Sequence, residues 1–176
     1  GGVESMTRGP WVISKTSTPF GRDAEMHDTS FGWRFVNPQM KELYGVDPMG
    51  GTAENLVDLY GIEREAQDKF AAWSQQKAAE AQSKGILGEE IVPVTILKRK
   101  GDAVVFDKDE FIRASTTMES LAGLRPAFKK DGSVTAGNAS GLNDGAAALL
   151  IASKEAAEKH NLKPLARIVG SAVAGV

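Results

Sequence analysis

The stretch VTAGNASGLNDGAAALLIAS, Val134 to Ser153, constrains this chain more than any other. A turn rich in glycine, asparagine and hydroxyl residues is joined directly to a run of apolar residues. That run, AAALLIAS from Ala146 to Ser153, seeks an interior. Its length favours a strand buried on both faces over a helix. Gly137, Gly141 and Gly145 permit positive φ and close approach of backbone. Asn138, Asn143 and Asp144 are placed to bond local backbone groups and hold a tight turn. The glycine spacing fits neither G-x-x-x-x-G-K-[ST] nor G-x-G-x-x-G, so no phosphate-cradling loop is indicated. From spacing alone, the segment is either a structural turn before a core strand or a surface on which a ligand lies against backbone.

The rest of the chain reads as α/β at both ends, with a mostly helical part and a hairpin between them. Residues 1–15 suggest a strand leading into a loop, and 21–36 an irregular, partly buried loop holding Phe31, Trp33 and Phe35. Pro38 opens a short helix that Gly45 ends. Thr52 reads as the N-cap of a helix carrying Leu56, Leu59 and Tyr60. Residues 63–84 give the clearest helix, with Ala66, Phe70, Trp73, Lys77 and Ala81 along one side and Gly85 as its stop. Phe70 and Trp73 are expected in the core. IVPVTIL, from Ile91 to Leu97, and AVVF, from Ala103 to Phe106, predict a hairpin whose tip carries Lys98, Arg99 and Lys100. A short helix is expected over 117–123 and another over KEAAEKH. ARIVGSAVAGV, at 166–176, reads as a further buried strand. A buried strand at each end, with no polar cap, is expected of a piece of a larger protein.

Composition narrows the function. The chain has 176 residues and a formal charge of -2, which gives no bulk attraction to nucleic acid or an anionic membrane. No apolar run reaches the length of a membrane span, and the start lacks the order of a signal peptide. A cytoplasmic location is expected. There is no cysteine, which excludes disulfides, thiolate metal sites and a cysteine nucleophile within the chain. No metal site is expected. The two histidines are His27, read as a hydrogen-bonding loop residue, and His160, read as a charge at a helix C-terminus.

Four stretches carry a resemblance: GGVESM at Gly1 to Met6, MGGTAENL at Met49 to Leu56, LRPAFKKDGSVTAGNAS at Leu124 to Ser140, and the Val134 to Ser153 segment itself. In order and spacing they resemble the thiolases, the acyl-CoA C-acyltransferases. FGRDAEMHDTSFGWRFVNPQM, from Phe20 to Met40, is similar to the β-ketoadipyl-CoA type, which serves aromatic catabolism. Pro48-Met49 stands where biosynthetic acetoacetyl-CoA thiolases usually have His-Met, which favours a degradative enzyme.

The resemblance implies part of a thiolase fold. Residues 1–15 would end part of the N-terminal domain, 16–133 would form an inserted loop domain, 134–163 would return to the N-terminal domain, and 164–176 would start the C-terminal domain. It implies acyl transfer to CoA with carbon–carbon cleavage, CoA being a substrate and no resident cofactor being needed. The family's cysteine and Gly-His-Pro histidine have no counterpart here, so no catalytic residue is carried over and the chain alone is expected to be inactive. By resemblance, Ser140 bonds the pantetheine arm, and Ala127, Phe128 and Ala136 wall its tunnel. Met49 lines the acyl end, and Arg113 lies near the adenine. Without the resemblance, Met49 is core filler and Arg113 a solvated surface residue. Lys129 and Lys130 are secondary candidates for a CoA phosphate. Acyl-CoA thioesters are the implied partners, with a homodimer or homotetramer as the assembly. The other readings are an acetyl-CoA acetyltransferase and a non-catalytic CoA-binding or oligomerisation module.

Overall fold

A computed structural model describes residues 1–173. Within them, strand β1 spans Gly2–Glu4, β2 Trp11–Ile13 and β3 Met26–Asp28. Helices α1 (Pro38–Tyr44), α2 (Met49–Tyr60) and α3 (Arg64–Ser83) follow. Then come β4 (Val94–Ile96), β5 (Val104–Phe106), α4 (Met118–Ala122), β6 (Gly145–Ala147) and α5 (Lys154–Lys159). The strands form antiparallel pairs, β1 with β6, β2 with β3 and β4 with β5.

The chain divides into two compact units, Gly1–Glu4 with Asp144–Val176, and Ser5–Asn143. In the first, Gly2 pairs with Ala147, Val3 with Ala146 and Glu4 with Gly145. Ser153 caps α5, its hydroxyl accepting from the Ala156 amide. Two expectations fail in this unit. The strand expected over Ala146–Ser153 ends at Ala147, and its residues are exposed rather than buried on both faces. No strand forms over 166–173, which is exposed; residues 174–176 of that expected strand lie outside the described residues. Strand structure needs a hydrogen-bonding neighbour for every pair of residues. An apolar run states an appetite for burial and supplies no such neighbour.

The second unit holds α1 to α4, whose ends have clear local causes. Asn37 caps α1, its side-chain Oδ1 accepting from the Gln39 and Met40 amides, with Pro38 at the first position. Gly61, left-handed at φ 62°, closes α2, and Gly85, at φ 75°, follows α3. Thr117 caps α4 in a reciprocal box with Ser120. Thr52 is not a cap. α2 starts a turn earlier at Met49, and the Thr52 hydroxyl donates to the Pro48 carbonyl at 3.4 Å. The buried face of α3 also differs from the expected stripe. Asp68 and Ala72 are buried, whereas Phe70 and Trp73 are exposed. They meet each other edge to face at 6.0 Å, and the Lys77 ammonium sits 3.5 Å from the Trp73 ring centroid. The alternative face, small and polar, is selected because it has hydrogen-bonding partners.

Candidate functional site

The buried residues of the second unit converge on one turn. Val134 and Thr135 are buried, and so are Glu54 on α2 and Asp68 on α3. A buried carboxylate is tolerated only when its oxygens are met by donors. Both are. The Glu54 Oε1 atom accepts from the Val134 amide at 2.7 Å and the Ser133 amide at 2.9 Å. Asp68 accepts at one oxygen from Arg64 Nε (2.7 Å) and at the other from Asn138 Nδ2 (2.9 Å). Gln67 Nε2 donates to the Ser133 hydroxyl at 2.8 Å. Two helices therefore grip the same turn, one from each carboxylate.

The turn is also tied to itself. Asn138 Oδ1 accepts from the Thr135 amide at 2.7 Å, and Asn138 Nδ2 donates to the Ser133 carbonyl at 3.2 Å. The Thr135 hydroxyl accepts from the amides of Gly137 (3.2 Å) and Asn138 (3.3 Å). Ahead of it, Pro126 bridges to Thr135, and the Ala127 amide donates to the Val134 carbonyl at 2.9 Å. Among the described residues, no buried side-chain nitrogen or oxygen lacks a hydrogen-bond partner. The front of the turn is different, since Ala136 and Ser140 are exposed.

The expected site residues fall around this turn. Phe128 sits against α2, where a Cβ at Gly50 would overlap its ring. Met49, the next residue along, is 82% exposed and is no core filler within this chain. Ala127 lies on the bridge to Val134. Arg113 has an exposed side chain, and its amide donates to Gln75 Oε1 on α3 at 2.8 Å. Its neighbour Phe111 lies where a Cβ at Gly141 would clash with the ring, so the Arg113 loop runs beside the end of the turn. Asn143 and Asp144 are exposed. Lys129 pairs with Asp58, and the hydrogen bond its ammonium donates to that carboxylate raises its pKa above the ordinary lysine value. Lys130 is exposed.

The histidines lie elsewhere in the chain. His27 is on β3 rather than in a loop, with Nε2 3.7 Å from Glu25 and its ring edge-on to Phe35. His160 caps the C-terminus of α5 through its backbone amide. Among the described residues, no three acidic or histidine side chains gather as a metal site. No helix among them is long and apolar enough to cross a membrane.

Glu54, Arg64, Asp68, Gln67 and Gln75 were not singled out by sequence reasoning. The available signal was the i,i+4 spacing of Arg64 and Asp68. That spacing fits a solvated surface pair equally well.

Residues 1–155 match the family described as "Thiolase, N-terminal domain". The chain belongs to the thiolase family. It is 57% identical over 176 residues to "Beta-ketoadipyl-CoA thiolase" of Acinetobacter baylyi, covering 100% of this chain and 44% of that protein. The identity and coverage are the same for the protein of that name from Pseudomonas aeruginosa. The chain thus spans less than half the length of these relatives. Among solved structures, the acetyl-CoA acetyltransferase of Bacillus anthracis superposes with a TM-score of 0.84 at 47% identity, over 100% of this chain and 43% of that one. Human mitochondrial 3-ketoacyl-CoA thiolase in complex with CoA does so with a TM-score of 0.75 at 41% identity, over 93% of this chain and 39% of that one. The fold is α/β and corresponds to part of the thiolase fold.

Proposed function

We propose that this chain is the central CoA-handling segment of a degradative 3-ketoacyl-CoA thiolase. The reaction is acyl transfer to CoA with carbon–carbon cleavage, with β-ketoadipyl-CoA giving succinyl-CoA and acetyl-CoA. The observation that carries the reading is the turn at 133–140. Its back is fixed by two buried carboxylates, while Ala136 and Ser140 stay open at the front. A thin amide-bearing arm needs such a surface, with small side chains, a hydroxyl and backbone that does not give way. In this reading Ser140 bonds a pantetheine amide, and Ala127, Phe128 and Ala136 form the wall. Met49 faces the acyl end and Arg113 stacks on the adenine. The names of the relatives support the substrate class.

The chain has no cysteine. The covalent step, in which a thiolate takes the acyl group, is therefore assigned to residues outside it. The 176-residue chain by itself is expected to show only background thiolysis of β-ketoadipyl-CoA, and measurable turnover would overturn that division of labour.

Ser140→Ala tests the binding role in the full chain that carries this segment. A lost neutral hydrogen bond is worth about 0.5–1.5 kcal/mol, so the KM for CoA should rise about threefold to tenfold. The kcat should change less, because the arm is held alike in ground and transition states. Unchanged KM with a lowered Tm would leave 134–153 a structural turn only. A kcat/KM for acetoacetyl-CoA equal to that for β-ketoadipyl-CoA would overturn the substrate assignment.

A further inference from the structure

The polar face of α3 touches both segments to which CoA contacts are assigned. Asp68 holds Asn138, which closes the turn leading to Ser140. Gln75 holds the amide of Arg113 at 2.8 Å. These residues are seven positions apart, two helical turns, and so share one face about 10 Å apart along the axis. Arg64, one turn before Asp68, extends the same face. Its Nη2 donates to the carbonyls of Leu121 (2.6 Å) and Leu124 (3.1 Å) while its Nε binds Asp68. An α-helix is stiff along its axis, and two loops anchored to one helix face cannot drift apart independently.

We propose that α3 is a spacer for coenzyme A: Asp68 and Gln75 fix the separation between the pantetheine turn and the Arg113 loop, and both are positioning residues. The inference rests on the CoA reading above. Neither side chain touches CoA in this scheme. Asp68 acts through Asn138, and Gln75 acts through the backbone of Arg113. The two should affect different parts of the ligand. Loss of Asp68 loosens the turn that meets pantetheine. Loss of Gln75 loosens only the loop that meets the adenine.

Asp68→Asn is the sharpest change available at that position. Both Asp68 oxygens accept hydrogen bonds from N–H donors. An amide has one oxygen, so its NH2 group must face either Arg64 or Asn138, donor against donor. Gln75→Ala removes the acceptor for the Arg113 amide with little change of volume elsewhere.

The experiment measures thiolysis by the full chain carrying this segment with three thiol acceptors: CoA, 4′-phosphopantetheine, which lacks the adenosine end, and N-acetylcysteamine, which lacks most of the arm as well. Asp68→Asn should lower kcat/KM for CoA and for 4′-phosphopantetheine about tenfold relative to N-acetylcysteamine. Gln75→Ala should lower it about threefold for CoA relative to 4′-phosphopantetheine, on the scale of one or two hydrogen bonds. A smaller folded fraction would scale all three thiols together. An equal fall with every thiol, or no change in either ratio, would therefore overturn the spacer. Ser140→Ala and Arg113→Ala are run alongside. If they too leave CoA unaffected, the CoA reading itself fails. If they weaken CoA and the α3 variants do not change the ratios, only the spacer fails.

Discussion

Gly50 shows how one residue can set the position of another. It is buried in the first turn of α2, and the Phe128 ring lies where a Cβ would stand. The atoms in the way belong to the base and body of the ring, which cannot swing aside as a flexible tip can. Gly50→Ala is therefore expected to displace Phe128 or the helix. The cost should be about 1–3 kcal/mol, typical of an overpacked site. Chemical denaturation checks it, and a midpoint within error of the parent would show that the ring moves freely. The same pair illustrates what the sequence made legible. The run MGGTAENL marked Met49 and its neighbours, but not that Gly50 meets a residue 78 positions away. Asp68 was hidden for a different reason. A carboxylate four residues after an arginine looks the same whether water or Asn138 occupies its second oxygen, and only the tertiary contact separates the two cases.

At the scale of elements, punctuation decided what could be read. Pro38, Gly45, Gly61 and Gly85 bound their helices through backbone geometry that is local to the sequence. The β4–β5 hairpin follows from its turn, with Gly101 at φ 89°. The choice of buried face on α3 is not local. Its aromatic side is the more apolar, yet the side facing inward carries Asp68, which has partners across the unit. α4 carries a prediction of its own. Glu119, in its first turn, accepts from its own backbone amide and then from the Thr117 hydroxyl, and both lower its pKa below the ordinary glutamate value. A depressed carboxylate pKa means that its contribution to folding is present above the unfolded-state value. That contribution is lost as pH falls through the lower, folded-state value. Carbon-detected NMR should show the Glu119 carboxyl titrating below the ordinary glutamate range. A midpoint at or above that range would show that the cap is not closed in solution.

At the scale of the whole molecule, apolar exposure dominates. Among the described residues, the buried apolar set is Ala72, Leu121 and Val134, which is small for a chain of this size. Within the unit that holds β1 and β6, Leu149 is 85% exposed, Leu165 97% and Val169 91%. Folded stability is a small difference between burial and chain entropy. With little apolar area buried, that difference is expected to be near zero or negative for the isolated chain. The buried carboxylate network does not compensate, because hydrogen bonds at Glu54 and Asp68 largely offset their own desolvation. The purified 176-residue chain should therefore bind anilinonaphthalene sulfonate strongly, melt broadly, and elute at apparent sizes that rise with concentration. The association follows from the exposed apolar segments at 148–153 and 165–169. Asp substitutions at Leu149, Leu150 and Val169 should reduce it without changing the helices of the other unit, as followed by far-UV circular dichroism. A monomer at all concentrations, with a sharp melt and no dye binding, would mean that these segments are covered in solution and that their exposure here is not the resting state.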